Sequence, residues 1–405
     1  SPNICRFSIE HMNFAFKSAQ QVMLESFQLG KKIYENNIRP NHAISLWRGG
    51  SVVGLGINEY FRMQGIFINH TAITTSTYQD DFTQKEIIVK GLEHVIKVVV
   101  PEDSLLIIDD IYDTGETISA LISLLSNRTK KNMPSTVTVA TLDRKPEKNL
   151  FTTNLIYLND YPRDCWVNYP HEISDLFLDP DEEILKKEKP EIYKLINQCN
   201  FPVEEINTEA PYVWLTPEKI QMDSIKLGIN LFYSDFEPDM LIALWPGGVI
   251  SGIYIHETYK YLNKRHGNPK KNPDHVAINT SSSHLSYKSN IIGLPYLLET
   301  IEDNSKILII DTTFRAGIYV NPVVDKLKEG LRRNLNHKNI RIASVYFDKN
   351  SKYTWTTKPN FKEPHYYIAT VNKDLIYPHA IHRLQNPRFE VKQRYSELYD
   401  IVWGG

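Results

Sequence analysis

Residues 105–117 read LLIIDDIYDTGET. The run Leu105–Ile108 followed by a polar turn reads as a strand buried on both faces. That strand delivers two adjacent carboxylates, Asp109 and Asp110, and then a Thr-Gly turn that opens a helix at Glu116. Strand, acidic turn and helix start together form one unit of a parallel sheet with helices on both faces, where ligands bind at the carboxyl ends of the strands.

Working outward, the same unit recurs. SLLIIDDIYDTGETISALISLL from Ser104 is matched by SKILIIDTTFRAGIYVNPVVDKL from Ser305. Residues 22–50, VMLESFQLGKKIYENNIRPNHAISLWRGG, align without a gap to residues 220–248, IQMDSIKLGINLFYSDFEPDMLIALWPGG. Each has apolar residues at helical spacing, a polar turn, an apolar strand and a Gly-Gly. WVNYPHEI from Trp166 and DLIYPHAI from Asp374 make a third pair. Three pairs in one order predict two tandem α/β domains, at 1–190 and 205–385, with a C-terminal tail at 386–405. The charged segment DPDEEILKKEKPEIYKL reads as the connector.

The first domain carries the residues suited to a phosphosugar. Backbone N–H groups of Thr114, Gly115, Glu116 and Thr117 lie at the positive end of the helix that follows, and can cradle a phosphate without a lysine. Asp109 and Asp110 can accept hydrogen bonds from two vicinal hydroxyls, the recognition problem a ribose sets. Asp-Asp followed by Asp-Thr-Gly is also a common helix cap with a turn, so that reading stays open from these residues alone.

The stretch Leu105–Thr117 resembles the phosphoribosyl pyrophosphate (PRPP) signature of the type I phosphoribosyltransferases. SLWRGGSVVGLGI, Ser45–Ile57, resembles the pyrophosphate loop of the same family. The resemblance implies two domains of a type I phosphoribosyltransferase fold, each a mostly parallel sheet flanked by helices with a small hood subdomain. It implies that Arg48 offers a charged fork to the leaving pyrophosphate and that Gly49 permits the backbone to present N–H groups to it. Ser76, Thr77 and Tyr78 resemble the flexible catalytic loop, with a surface hairpin as the plain alternative. Asp113 is implied as the residue beside the reacting base, and Mg²⁺ as the cofactor, held near Asp109 and Asp110.

VTVATLDRKPEKN and DCWVNYPHEISDL resemble the xanthine-guanine and hypoxanthine-guanine branch. That likeness implies Lys145 contacting a purine 6-oxo group, Trp166 stacking on the base and the Val167 backbone touching its edge. A solvated lysine and a core tryptophan are the plain alternatives.

The second domain departs from the pattern. Thr312 stands for Asp110, Arg315 for Asp113 and Pro246 for Arg48, while Ala316, Ile318 and Tyr319 fill phosphate-loop positions. An Arg cannot serve as a base, so this half is expected to be inactive, and to supply a pseudo-dimer contact inside one chain or in a homodimer. The Tyr-Pro-His shared at Tyr169–His171 and Tyr377–His379 then reads as structural.

The expected activity is Mg²⁺-dependent transfer of 5-phosphoribosyl from PRPP to a nucleobase, foremost a 6-oxopurine as in purine salvage. The alternatives are a non-standard acceptor, such as a modified nucleotide or a base in nucleic acid, and a non-catalytic PRPP or nucleotide sensor. With net charge −2 the 405-residue chain has no overall basic field for nucleic acid or membrane. Only the local runs Lys264, Arg265, Lys270, Lys271 and Arg332, Arg333, Lys338, Arg341 offer one. Three cysteines make no disulfide framework or metal motif, and no apolar run approaches a membrane span, so the chain reads as cytoplasmic.

Overall fold

The computed structural model describes residues 13–79, 85–280, 291–302, 304–331 and 335–404. The chain is α/β, with mostly parallel sheets flanked by helices, as its sequence pattern predicts. The strands in chain order are β1 (Asn13–Phe16), β2 (His42–Trp47), β3 (Asn69–Gln79), β4 (Lys85–Lys90), β5 (Ser104–Tyr112), β6 (Thr136–Arg144), β7 (Leu155–Asp160) and β8 (Cys165–Asn168). They continue as β9 (Glu204–Ile206), β10 (Tyr212–Trp214), β11 (Met240–Trp245), β12 (Asp274–Asn279), β13 (Ile307–Arg315), β14 (Ile340–Asp348), β15 (Ala369–Val371) and β16 (Asp374–Ile376).

Among the described residues the first large sheet has the order β4-β3-β2-β5-β6-β7 and the second β12-β11-β13-β14-β15-β9. Every pairing within them is parallel except β3 with β4. The two central registers match: Ser45 lies beside Ile108 in one sheet and Ala243 beside Ile310 in the other.

Burial explains why these strands are continuous apolar runs. HAISLW and MLIALW are buried at every position, because helices cover both faces of a parallel sheet. Ile44, Leu105, Ile107 and Val139 lie in the core of the first sheet, and Ile242, Ile307, Ile309 and Ile342 in that of the second. Each such side chain contributes about 1.5–3 kcal/mol on leaving water.

Two further sheets among the described residues have two strands each, β1-β8 and β10-β16. The chain divides into two compact units that are not contiguous in sequence. One holds Gln20–Cys165 with the residues from Ile376 onward; the other holds the residues up to Ala19 with Trp166–Leu375. The connector and the tail take the same form. Each is a pair of short helices, Glu183–Glu188 with Pro190–Ile196, and Pro387–Arg394 with Ser396–Trp403.

Candidate functional site

The site of the first-sheet unit is built at the carboxyl end of β5. Leu105–Ile108 are fully buried, and the strand then brings Asp109 and Asp110 to a half-buried edge. Asp109 Oδ1 accepts a hydrogen bond from the Asp110 backbone N–H at 3.0 Å, which orients the first carboxylate. Gly115 begins the Glu116–Thr129 helix with φ +84°. A Cβ there would lie 2.3 Å from the Tyr112 hydroxyl oxygen and 2.6 Å from Cζ of its ring, so conformation and space both demand glycine. Tyr112 is the floor of this loop; its hydroxyl donates to the Phe151 carbonyl at 2.9 Å, and burial raises its pKa, which keeps the donor proton in place.

The Arg48 loop meets this edge. The Trp47–Arg48 peptide is cis, and half-buried Arg48 precedes the helix Gly49–Met63. A Cβ on Gly50 would come within 2.3 Å of the Ile108 carbonyl oxygen and 2.9 Å of the Asp109 Cα. The glycine pair thus lets the helix start press directly on the end of β5, which draws Arg48 and Gly49 toward the acidic pair.

Asp113 is held by the loop that follows β6. Lys148 Nζ lies 2.9 Å from each of its carboxylate oxygens, and Lys145 Nζ lies 3.7 Å from Oδ2. Asn149 donates from Nδ2 to the Asp113 and Lys145 carbonyls, and Leu150 N–H donates to the Thr114 carbonyl at 2.9 Å. The loop after β6 and the turn after β5 are therefore laced together. Lys145 is among the residues the sequence singles out, and Lys148 is not. Its signal is the spacing in KPEK: Pro146–Lys148 is a 3-10 turn, in which positions three apart eclipse one another, so both lysines turn to one side.

Arg48, Gly49, Asp109, Asp110, Asp113, Thr114, Gly115, Glu116, Thr117 and Lys145 all belong to this one unit. Trp166 and Val167 belong to the other compact unit, where Trp166 stacks on Phe14 at 5.4 Å between ring centroids and Val167 is buried. Ser76, Thr77 and Tyr78 lie on β3, their backbone paired with Ile88, Ile87 and Glu86 of β4 in an antiparallel hairpin. Residues 80–84 lie outside the described residues.

Among the described residues no cluster of three or more His, Cys, Asp or Glu side chains could hold a metal by itself. Two adjacent carboxylates at a strand end suit a hard cation that completes its shell with phosphate oxygens and water, the habit of Mg²⁺.

The second sheet answers residue for residue. Arg315 Nε lies 3.1 Å from Asp348 Oδ2, and its Nη2 pairs with Asp374. The Thr312 hydroxyl is 3.0 Å from Ser251 Oγ and donates to the Gly247 carbonyl. The Trp245–Pro246 peptide is cis as well. Gly317, with φ +68°, sits over Phe314 as Gly115 sits over Tyr112. The helix after it begins only at Val320, and Ala316 also has positive φ.

Three of the four residues of the first basic run make internal hydrogen bonds. Lys264 donates to the Ser174 carbonyl, Arg265 to Glu182 and the Ile196 carbonyl, and Lys270 to the Phe232 carbonyl. Arg332 and Arg333 lie outside the described residues. His171 and His379 are buried against Tyr169 and Tyr377, and burial pushes the pKa of His379 down to about 4, as suits a structural imidazole. No helix among the described residues is long and apolar enough to cross a membrane.

No protein-family model and no curated protein matches the sequence. Among solved structures, similar chains include a purine phosphoribosyltransferase from Pyrococcus horikoshii, at 21% identity over 39% of this chain and 93% of that one, with a TM-score of 0.32. A hypothetical protein from Neisseria gonorrhoeae with bound ppGpp is 21% identical over 43% of this chain and 96% of its own, with a TM-score of 0.33. The xanthine-guanine-hypoxanthine phosphoribosyltransferase of Helicobacter pylori is 16% identical over 39% and 92%, with a TM-score of 0.31. Likeness at this level carries no argument about what this chain does; the residues of its own site have to.

Proposed function

We propose that the first-sheet unit is a phosphoribosyltransferase that moves 5-phosphoribosyl from PRPP to a ring nitrogen of a nucleobase, best a 6-oxopurine, and releases pyrophosphate. In this reading the two halves are tandem copies of one fold and the second has lost the chemistry. The observation that supports it is the end of β5, where Asp109 and Asp110 precede the positive-φ Gly115 that opens a helix, with the Arg48 loop packed against the same edge through Gly50; the corresponding end of β13 keeps the glycine contact but has Thr312 and Arg315.

Each residue then has a task. The Thr114–Thr117 turn binds the 5-phosphate through backbone N–H groups at a helix start. Asp109 and Asp110 hold the ribose hydroxyls, and their charge favours the cationic character that grows at the anomeric carbon. Arg48 holds the departing diphosphate. Mg²⁺, when bound near Asp109 and Asp110, would neutralise diphosphate charge. Lys145 faces the oxo group of the base, and Asp113 faces its imidazole proton.

One observation favours a second reading. Both oxygens of Asp113 are already engaged by the Lys148 ammonium, at 2.9 Å each. That arrangement suits a protein that binds PRPP or a nucleotide without turning it over.

The deciding experiment is pyrophosphate release from PRPP and Mg²⁺ with hypoxanthine, guanine, xanthine, adenine, uracil, modified nucleotides, DNA and RNA as acceptors. Release stimulated by a 6-oxopurine is the expected result. Tight PRPP binding with no release from any acceptor would replace the transferase with the sensor.

A further inference from the structure

Glu59 has no exposed surface, and a buried carboxylate needs partners. Its partners come from the far end of the chain. The His382 backbone N–H donates to Glu59 Oε1 at 2.7 Å, and His382 Nδ1 donates to the same carboxylate at 2.8–2.9 Å. His382 Nε2 is then left to accept from Arg62 at 3.0 Å.

Carried nine residues past Gly50 and Gly248, the gapless match of 22–50 with 220–248 pairs Glu59 with Glu257, and carried three residues past the histidine the Tyr-Pro-His match pairs His382 with Ser174. Glu257 is equally buried, and it accepts from the Ser174 backbone N–H at 2.9 Å and the Ser174 hydroxyl at 2.7 Å. The same bond is thus made twice, and each time the carboxylate belongs to one half and the turn to the other.

The short helix pairs follow the same rule. Pro190–Ile196, which ends the first half, packs on Pro217–Phe232 of the second, and Gln221 of that helix donates to the Pro170 carbonyl at 3.2 Å. Ser396–Trp403, which ends the second half, lies along Ala19–Glu35 of the first. There Gln20 donates to Glu397 at 3.2 Å, and Gln28, Lys31, Lys32 and Glu35 line a shallow cavity with Asp400 and Ile401.

We infer that the two halves exchange their closing segments, so that each is the obligate folding partner of the other. The partner surface on each sheet unit, a buried glutamate and the first helix, fits the Tyr-Pro-His turn and helix pair of a second copy of the same fold. The half without the acidic site is retained because it finishes the half that has one. This inference stands whether or not the transferase reading does.

The test uses the whole chain. A protease site is inserted at the exposed Gln198–Asn200 link, and the folded protein is nicked. The two fragments are expected to stay together on size exclusion, or to precipitate together, and calorimetry of the intact chain is expected to give one transition. Glu59→Gln and Glu257→Gln are each expected to move that whole transition down by roughly 5 °C. Two separated fragments that each stay folded, or two transitions of which each variant moves only its own, would overturn the exchange. Should either variant fail to fold, the nicked wild-type chain still decides.

Discussion

The two strand ends, β5 and β13, hold an ion pair at the same register with the charges reversed. Asp113 faces Lys145 and Lys148 in the first sheet; Arg315 faces Asp348 in the second. Tyr112 lies beside Arg144 and Phe314 beside Phe347, so the next residues along each strand, Asp113 with Lys145 and Arg315 with Asp348, are counterparts. A charged pair closes the loop in both halves, so pairing itself serves the fold. In the proposed transfer the choice of which partner is the carboxylate matters, because a carboxylate can take a proton from the acceptor base and an Arg cannot.

The comparison breaks most directly at these residues. Asp113→Asn is expected to lower kcat about 10²–10⁴-fold in the pyrophosphate-release assay, while Arg315→Met leaves it within about threefold. Equal losses would end the distinction between the halves.

Gly50→Ala and Gly248→Ala form the next contrast. Their Cβ atoms would approach the Ile108 and Ile310 carbonyl oxygens to 2.3 and 2.1 Å. Each should cost about 2–4 kcal/mol in denaturant unfolding, yet only Gly50→Ala should weaken PRPP binding by calorimetric titration.

Acid should act on both halves alike. His70 and His379 in one unit and His365 in the other have pKa values pushed by burial to about 3, 4 and 4. The unfolded chain binds protons on these groups first, so their contribution is present above about pH 6.5 and is lost as pH falls toward 4. A single histidine of this kind gives up about 2 kcal/mol by pH 5, and His379→Gln should flatten that part of the urea-midpoint profile. A profile flat between pH 7 and 5 in the unaltered chain would mean these imidazoles reach water.

The finest contrast concerns Lys148. If it orients Asp113, Lys148→Met lowers kcat about tenfold with the PRPP KM unchanged, and Lys148→Arg restores most of it. A rise in kcat would instead mark Lys148 as a competitor for the carboxylate.

Much of this was legible beforehand because it is local. The apolar run before Asp109, the glycine before Glu116 and the paired Gly-Gly each follow from what a short stretch of backbone must do, and the first sheet bears them out. The exchange was not legible. Both halves carry the same turn and the same helix, so pattern alone cannot say which turn closes which helix. No motif marks Glu59 or Glu257, and only their burial singles them out. The helix pairs share little beyond Asp179-Pro180 against Asn386-Pro387 and apolar spacing, so one read as a connector and the other as a tail. Lys148 escaped because its role depends on a 3-10 turn that eclipses it with Lys145.

The exposed link around Cys199 has a consequence for supply. Subunits made separately meet at a rate set by how much of each the cell holds, and they part on dilution. A tether this short keeps the partners at an effective concentration on the order of millimolar, whatever the expression level. Specific activity should therefore be flat down to the lowest protein concentration that can be assayed, with one competent site for every two sheets synthesised.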